Sequence, residues 1–273
     1  MAYIEEYWLE KEKMAEQARQ HTEEMERMYS GKIKESVKGT VIYDVDFQSS
    51  KKRSAASQIS LEATDSVSAI MRHANECKKR MAVLNFSSYK NPGGMFLNGV
   101  KAQEESLCHN SYLYNVLSEF LTGFYYWNRK HASRALYRNR GLYSPDIMFE
   151  KDGNCVFCDV ITCAAPNKSA ARQYKNVSDE ENSEALRSRI RFVLDIAKEN
   201  QVNVLILGAY GCGVFGQNAE EVAGIFREYL FSSHRCFDKV IFAIPEGRDK
   251  NFEAFAKAFE LKAMENQCLI PSI

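Results

Sequence analysis

Asn91-Pro92-Gly93-Gly94-Met95-Phe96-Leu97-Asn98-Gly99-Val100-Lys101-Ala102-Gln103-Glu104-Glu105 decides how the rest of the chain is read. A turn built on Gly93 and Gly94 leads, with seven residues between Met95 and Gln103, into Gln103 and two adjacent carboxylates. Glycine adopts positive φ without steric cost and lets a backbone approach a ligand closely. Carboxylates just beyond such a turn set acid–base chemistry beside a bound polar ligand. Consecutive residues of a helix do not share a face, so Glu104 and Glu105 have separate jobs. Taken alone, two acids here also suit a helix N-terminus, where they complement its dipole.

A second glycine-rich segment, Leu207-Gly-Ala-Tyr-Gly-Cys-Gly-Val-Phe-Gly216, follows a strand pattern and precedes a helix pattern. Asn218 with Glu221 three residues later signals the start of that helix. Successive free amides at a helix N-terminus attract phosphate, so the loop is an anion cradle. A tight turn without a ligand is the plainer alternative, and four glycines exceed what a turn needs. Gly211 to Gly216 also matches the dinucleotide fingerprint GxGxxG. Against that rival, only one clear strand follows, Phe215 is bulky inside the fingerprint, and the next strand ends Ala243-Ile-Pro245 without an acid.

Outward from these two loops, strand patterns at 40–47, 81–86, 155–162, 202–207 and 239–244 alternate with helix patterns. The helices are expected at 65–80, 104–120, 183–200, 219–230 and 251–259. This alternation argues for a layered α/β fold. Residues 3–28 read as a long polar helix with Trp8, Met14, Met25 and Met28 as its apolar contacts, and 48–60 as a mobile Ser- and Lys-rich loop. The 36 acidic and 36 basic residues cancel, which gives no general pull toward duplex nucleic acid or an anionic membrane. No segment reaches the roughly 18–20 apolar residues of a membrane span. Eight scattered cysteines fit reduced core thiols in a cytoplasmic protein, and the lone Cys155-Val-Phe-Cys158 is weak evidence for zinc.

Both loops, with Ser144-Pro-Asp146 and Val160-Ile-Thr-Cys-Ala-Ala-Pro-Asn167, resemble the bacterial-type poly(ADP-ribose) glycohydrolases, a macrodomain family. The similarity runs from about Asp65 to Ile244. It implies a macrodomain-like three-layer α/β/α sandwich with a mixed sheet over 39–273, preceded by a helical N-terminal extension over 1–38. It also implies hydrolysis of ribose–ribose O-glycosidic bonds, with no cofactor and no metal, on ADP-ribose polymers or ADP-ribosylated macromolecules.

Site residues carry over by the same resemblance. Glu105 becomes the general acid/base, Glu104 the holder of ribose hydroxyls, and Gln103 a support of the loop formed by Gly93 and Gly94. Gly211, Gly213, Val214 and Gly216 wrap the diphosphate, and Phe215 orients the distal ribose. Met95 stands where the family has a third glycine. If it displaces the loop, a non-catalytic ADP-ribose reader becomes the alternative; a hydrolase of another ADP-ribosyl linkage is a further one. Asn85 is a candidate for ribose contact or turn capping, Asp65 for adenine contact or helix capping, and His109 for a general base or a core-edge histidine.

Overall fold

Met81-Ala-Val-Leu84 offers four apolar side chains in succession, the pattern of a strand covered on both faces. The computed structural model describes residues 2–74, 79–260 and 268–269, and sets this segment inside an eight-stranded mixed sheet. The strands are β1 (Val41–Tyr43), β2 (Gln58–Glu62), β3 (Met81–Phe86), β4 (Gly141–Lys151), β5 (Asn154–Cys163), β6 (Val204–Leu207), β7 (Lys239–Ala243) and β8 (Cys268–Leu269). Their order across the sheet is β1-β4-β5-β3-β6-β7-β2-β8. Strands β5, β3, β6, β7 and β2 run parallel, and β4, β1 and β8 join through antiparallel pairs.

The helices are α1 (Ala2–Gly39), α2 (Ser66–Ala74), α3 (Gln103–His109), α4 (Leu113–Ser118), α5 (Tyr126–Lys130), α6 (Lys168–Lys175), α7 (Asp179–Glu199), α8 (Ala219–Phe231) and α9 (Asn251–Ala258). Strand side chains alternate between faces, and that alternation divides the core in two. Ala82 and Leu84, Leu205 and Leu207, and Val240 and Phe242 pack with Ile190, Phe226 and Phe255 of α7, α8 and α9. Met81 and Val83, Val204 and Ile206, and Ile241 and Ala243 pack with Ile70, Leu107 and Val116 of α2, α3 and α4. The expected three-layer sandwich with a mixed sheet is the fold observed.

Capping residues fix where the helices start. Ser178 and Glu181 form a capping box at α7, Asn218 accepts from the Glu221 amide at α8, and Asn167 accepts from the Ala170 amide at α6. Each such cap contributes about 0.5–2 kcal/mol.

Helix α1 belongs to the second core through Ala18, Met25 and Ile33, all buried. Trp8 and Met28, expected as contacts, are exposed instead, because the buried stripe runs through 18, 25 and 33. Ser36 Oγ donates to the Pro145 carbonyl, and the His21 ring meets the Ser111 carbonyl. Gly99, at φ +69°, lies so close that a Cβ there would stand 2.1 Å from the Lys11 carbonyl oxygen.

Several boundaries differ from expectation. The strand expected at 40–47 keeps only Val41–Tyr43, since Asp44 opens a turn in which its carbonyl accepts from the Phe47 amide. The loop expected at 48–60 ends in β2, whose apolar residues Ile59 and Leu61 enter the core beside β7. The helix expected at 104–120 breaks after His109, where the Ser111 hydroxyl bonds the Leu107 carbonyl and the Leu113 amide. Strand β4 was hidden by Pro145 and Asp146, which lie in a bulge between Ser144 and Ile147. The helix expected at 65–80 is α2, and 75–78 lie outside the described residues. Cys155 is exposed and Cys158 buried, as residues three apart on a strand point to opposite faces, so this pair does not converge on a zinc ion. Among the described residues no helix is long and apolar enough to cross a membrane.

Gly99→Ala is expected to destabilise the protein by at least the ~1–2 kcal/mol of a left-handed backbone with a side chain. The clash with Lys11 adds to it. Chemical denaturation of both proteins measures the difference, and equal midpoints would show that α1 shifts freely.

Candidate active site

The five parallel strands end along one edge, and the segments that follow them make the site. In open α/β sheets this carboxyl edge is where ligands bind. After β3 come Ser87 and Ser88 and then the first glycine loop; after β6 comes the second glycine loop. After β5 comes Ala164-Ala-Pro-Asn167, which lies between them.

Helix α3 begins at Gln103, and its first turn carries the two carboxylates. Gln103 bolts this turn to β3: its amide donates to the Leu84 carbonyl and the Ser66 hydroxyl and accepts from the Phe86 amide. Both of its N–H groups are therefore spent on the protein.

Glu104 and Glu105 are only 3% and 5% exposed. Burying a carboxylate is costly unless donors meet it. Glu104 takes the Ser88 amide at 2.7 Å on one oxygen and the Asn85 side-chain amide at 3.2 Å on the other. Glu105 takes the Met95 amide at 2.8 Å on Oε1. Burial pushes the Glu104 pKa up, and the charge of Glu105 adds to this. The Ser88, Asn85 and Gly93 donors oppose it, and the value stands at about 8.

Gly93 and Gly94 both adopt positive φ, +63° and +62°. A Cβ on Gly94 would lie 2.6 Å from Glu105 Oε1 and 2.8 Å from Glu104 Oε2. Glycine is required here because the loop backbone is pressed onto both carboxylates. Met95 has φ −113°, which any residue adopts, and its side chain is 44% exposed. The loop therefore forms with Met95 in place. Its amides are spent inward: Gly94 on the Asn91 carbonyl, Met95 on Glu105, Phe96 on the Gly93 carbonyl. The first loop thus frames carboxylates and spends these amides on its own turn and on Glu105.

The second loop is arranged the other way. Gly211 and Gly216 have positive φ, and a Cβ on either would strike Ala165, Gln217 or Ser169. Gly213 faces open space. Among the described residues the amides of Gly213, Val214 and Phe215 make no hydrogen bond, while those of Gly216 and Gln217 close the turn onto Gly213 and Gly211. Val214 is 88% exposed. Gln217 anchors the loop from behind through the Pro166 carbonyl and the Asn182 amide.

An aromatic row joins the two loops. Tyr89 stacks on Tyr137 at 4.2 Å between centroids, and Tyr137 meets the edge of Phe215 at 6.2 Å. Tyr89 follows Ser88, the donor to Glu104, so the row runs from the carboxylates to the second loop. Sequence reasoning gave no role to Tyr89, Tyr137, Ser88 or Gln217; no local pattern marks them, since they meet only through folding.

A cavity of about 640 Å³ opens beside Gln103 and Ala209, lined with Phe86, Ala243, Ile244 and Pro245. Asp65 lines it as well, but its carboxylate caps α2 through the Ser68 amide and hydroxyl. Asn85 is fully buried and bonds Glu104 and Thr162, placing it under the carboxylates. His109 packs edge-on against Phe96 at 4.6 Å, and burial lowers its pKa.

The chain is similar to known proteins over most of its length. Residues 10–152 match the family described as microbial-type PARG, catalytic domain, PARG being poly(ADP-ribose) glycohydrolase. The poly(ADP-ribose) glycohydrolase of Deinococcus radiodurans in complex with ADP-ribose is 30% identical, with 84% of this chain and 97% of that one covered and a TM-score of 0.75. The enzyme of Thermomonospora curvata is 28% identical over 90% of this chain and 99% of that one, with a TM-score of 0.80. Its complex with the inhibitor ADP-HPD is 27% identical over 90% and 98%, with a TM-score of 0.77. No curated protein matches the chain in sequence.

The raised Glu104 pKa has a consequence for stability. A carboxyl that is about 8 when folded and 4.5 when unfolded binds its proton more tightly in the folded state. Its contribution is fully present below the unfolded value and is lost as pH rises through the folded one. Unfolding free energy is expected to fall between these two values in the natural protein, and Glu104→Gln is expected to flatten that part of the profile. Superimposable pH profiles would remove Glu104 as the titrating group.

Proposed function

Because the chain belongs to the microbial-type PARG catalytic-domain family, we propose that it hydrolyses the ribose–ribose O-glycosidic bond of poly(ADP-ribose) and releases ADP-ribose. One arrangement carries the reading: a loop that presses its backbone onto two buried carboxylates faces, across an aromatic row, a loop with three unspent amides. The first is suited to proton transfer and the second to a diphosphate.

In this reading the diphosphate rests on the amides of Gly213, Val214 and Phe215, in the loop shaped by Gly211 and Gly216. The apolar cavity beside Phe86 and Ile244 takes the nucleoside. Phe215, set edge-on to Tyr137, holds the distal ribose over Gly93 and Gly94.

Glu105 is the general acid and base. Its Oε1 is held by the Met95 amide, which leaves Oε2 for the substrate. Glu104 has donors on both oxygens and serves as its neighbour and as a ribose contact. Burial keeps Glu104 protonated near neutrality. As the general acid of this reading, Glu105 gives a proton to the departing ribose oxygen as the C–O bond breaks. Positive charge develops at the anomeric carbon beside the Glu105 carboxylate. Water then adds there and returns a proton to Glu105, which restores the starting state. The proton that burial keeps on Glu104 also limits repulsion of the ligand's diphosphate. Met95, accommodated at negative φ, supports a competent loop rather than a mere reader of ADP-ribose.

Glu105→Gln is expected to cut turnover of poly(ADP-ribose) by about 10²–10⁴, the usual share of general acid–base catalysis. Affinity for ADP-ribose should stay within a few-fold. Chromatography of products from the polymer, alongside calorimetry with ADP-ribose, checks both. Retained turnover would move the acid to another group.

A further inference from the structure

Arg189 is the largest fully buried side chain among the described residues, at 1% exposure on the inner face of α7. No ion pair among the described residues includes it; the neighbouring arginines Arg187 and Arg191 pair with Glu228 and Asp195. Its guanidinium has only neutral acceptors. Nε donates to Asn139 Oδ1 at 2.8 Å, one terminal nitrogen donates to the Ala164 carbonyl, and the other reaches the Leu136 carbonyl at 3.4 Å.

A buried cation without a counter-charge costs several kcal/mol even where carbonyls solvate it. A charge of this kind is kept where something else compensates it. What lies around it identifies the compensating group. Ala164 leads directly into Ala165, whose Cβ lies 2.8 Å from where Gly211 would carry one. Pro166 next accepts from Gln217, at the end of the second loop. Asn167 caps α6, whose Ser169 abuts Gly216 and donates its amide to the Phe215 carbonyl. Tyr210, the residue before Gly211, donates its hydroxyl to the Cys163 carbonyl, next to the Ala164 carbonyl that Arg189 holds. The guanidinium thus holds the start of the segment, Ala164–Asn167, that backs the second glycine loop.

We infer that Arg189 is the buried counter-charge for an anionic ligand of that loop: a positioning residue that favours a diphosphate from behind, through Ala164–Asn167, without touching it. The inference rests on the proposed function, since it takes the loop's ligand to be the diphosphate of ADP-ribose. Fixed charge in a water-excluded wall costs no reorganisation when the anion arrives. The outward amides of 213–215 supply direction, and Arg189 supplies the sign of the field. Neutral nucleosides gain nothing from it.

The test compares ADP-ribose with adenosine, which shares the nucleoside and lacks the diphosphate, on the natural chain, Arg189→Gln and Arg189→Lys. Arg189→Gln is expected to weaken ADP-ribose binding by about tenfold or more, the scale of one charged interaction, and adenosine binding by less than about twofold. Arg189→Lys, which keeps the charge and loses the fork, should recover most of the ADP-ribose affinity. Equal losses for both ligands, or Lys falling as far as Gln, would make Arg189 a purely structural residue and overturn the inference. A natural chain that binds adenosine but not ADP-ribose overturns the proposed function, and this inference with it. Where a variant does not fold, the Arg189 Nε–H resonance of the natural chain decides. It should shift on adding ADP-ribose and stay in place with adenosine, and a resonance indifferent to both overturns the inference.

Discussion

Two neighbouring carboxylates held out of water are the constraint around which this site is built. Glu104 and Glu105 are almost wholly buried, and each must be met by donors. Those donors are backbone amides of Ser88, Gly93 and Met95, together with the Asn85 side chain. At Gly94 the backbone is pressed so close that a Cβ would have no room beside either carboxylate. Gln103 fixes the other side by holding the first turn of α3 to β3. Loop, helix turn and strand end therefore depend on one another, and the raised pKa of Glu104 follows from their success in excluding water.

The sheet supplies the rest. Five parallel strands deliver their following segments to one edge, so two loops more than a hundred residues apart in sequence face each other. Their chemistry is divided. The loop after β3 spends its amides inward on carboxylates, and the loop after β6 leaves amides free. The aromatic row of Tyr89, Tyr137 and Phe215 bridges the difference. Even α1 is tied in: Gly99, in the first loop's continuation, carries its weight against Lys11.

Much of this was legible in the sequence, because glycines and paired acids at fixed spacing are local signals. The two loops, the central strands expected at 81–86, 202–207 and 239–244, and the cap of α8 all rest on near-neighbour patterns, whereas α7 starts four residues before the expected 183, at a capping box on Ser178 and Glu181. Whether Met95 displaces the loop was open, since sequence gives no φ; at −113° the position tolerates a side chain. Strand β2 was hidden within a Ser- and Lys-rich run, because its pairing with β7 is made across 180 residues. Strand β4 was hidden by Pro145, which a bulge accommodates. Arg189 was invisible as anything but a helical surface charge, for burial beneath the second loop is a property of α7 packing alone.

The most direct test of the account is a crystal structure of Glu105→Gln bound to ADP-ribose. It should show the diphosphate on the amides of 213–215, the distal ribose between Gly94 and Phe215, and residue 105 facing the anomeric carbon. A diphosphate bound elsewhere, or a distal ribose turned away from residues 104 and 105, would contradict the division of labour between the two loops.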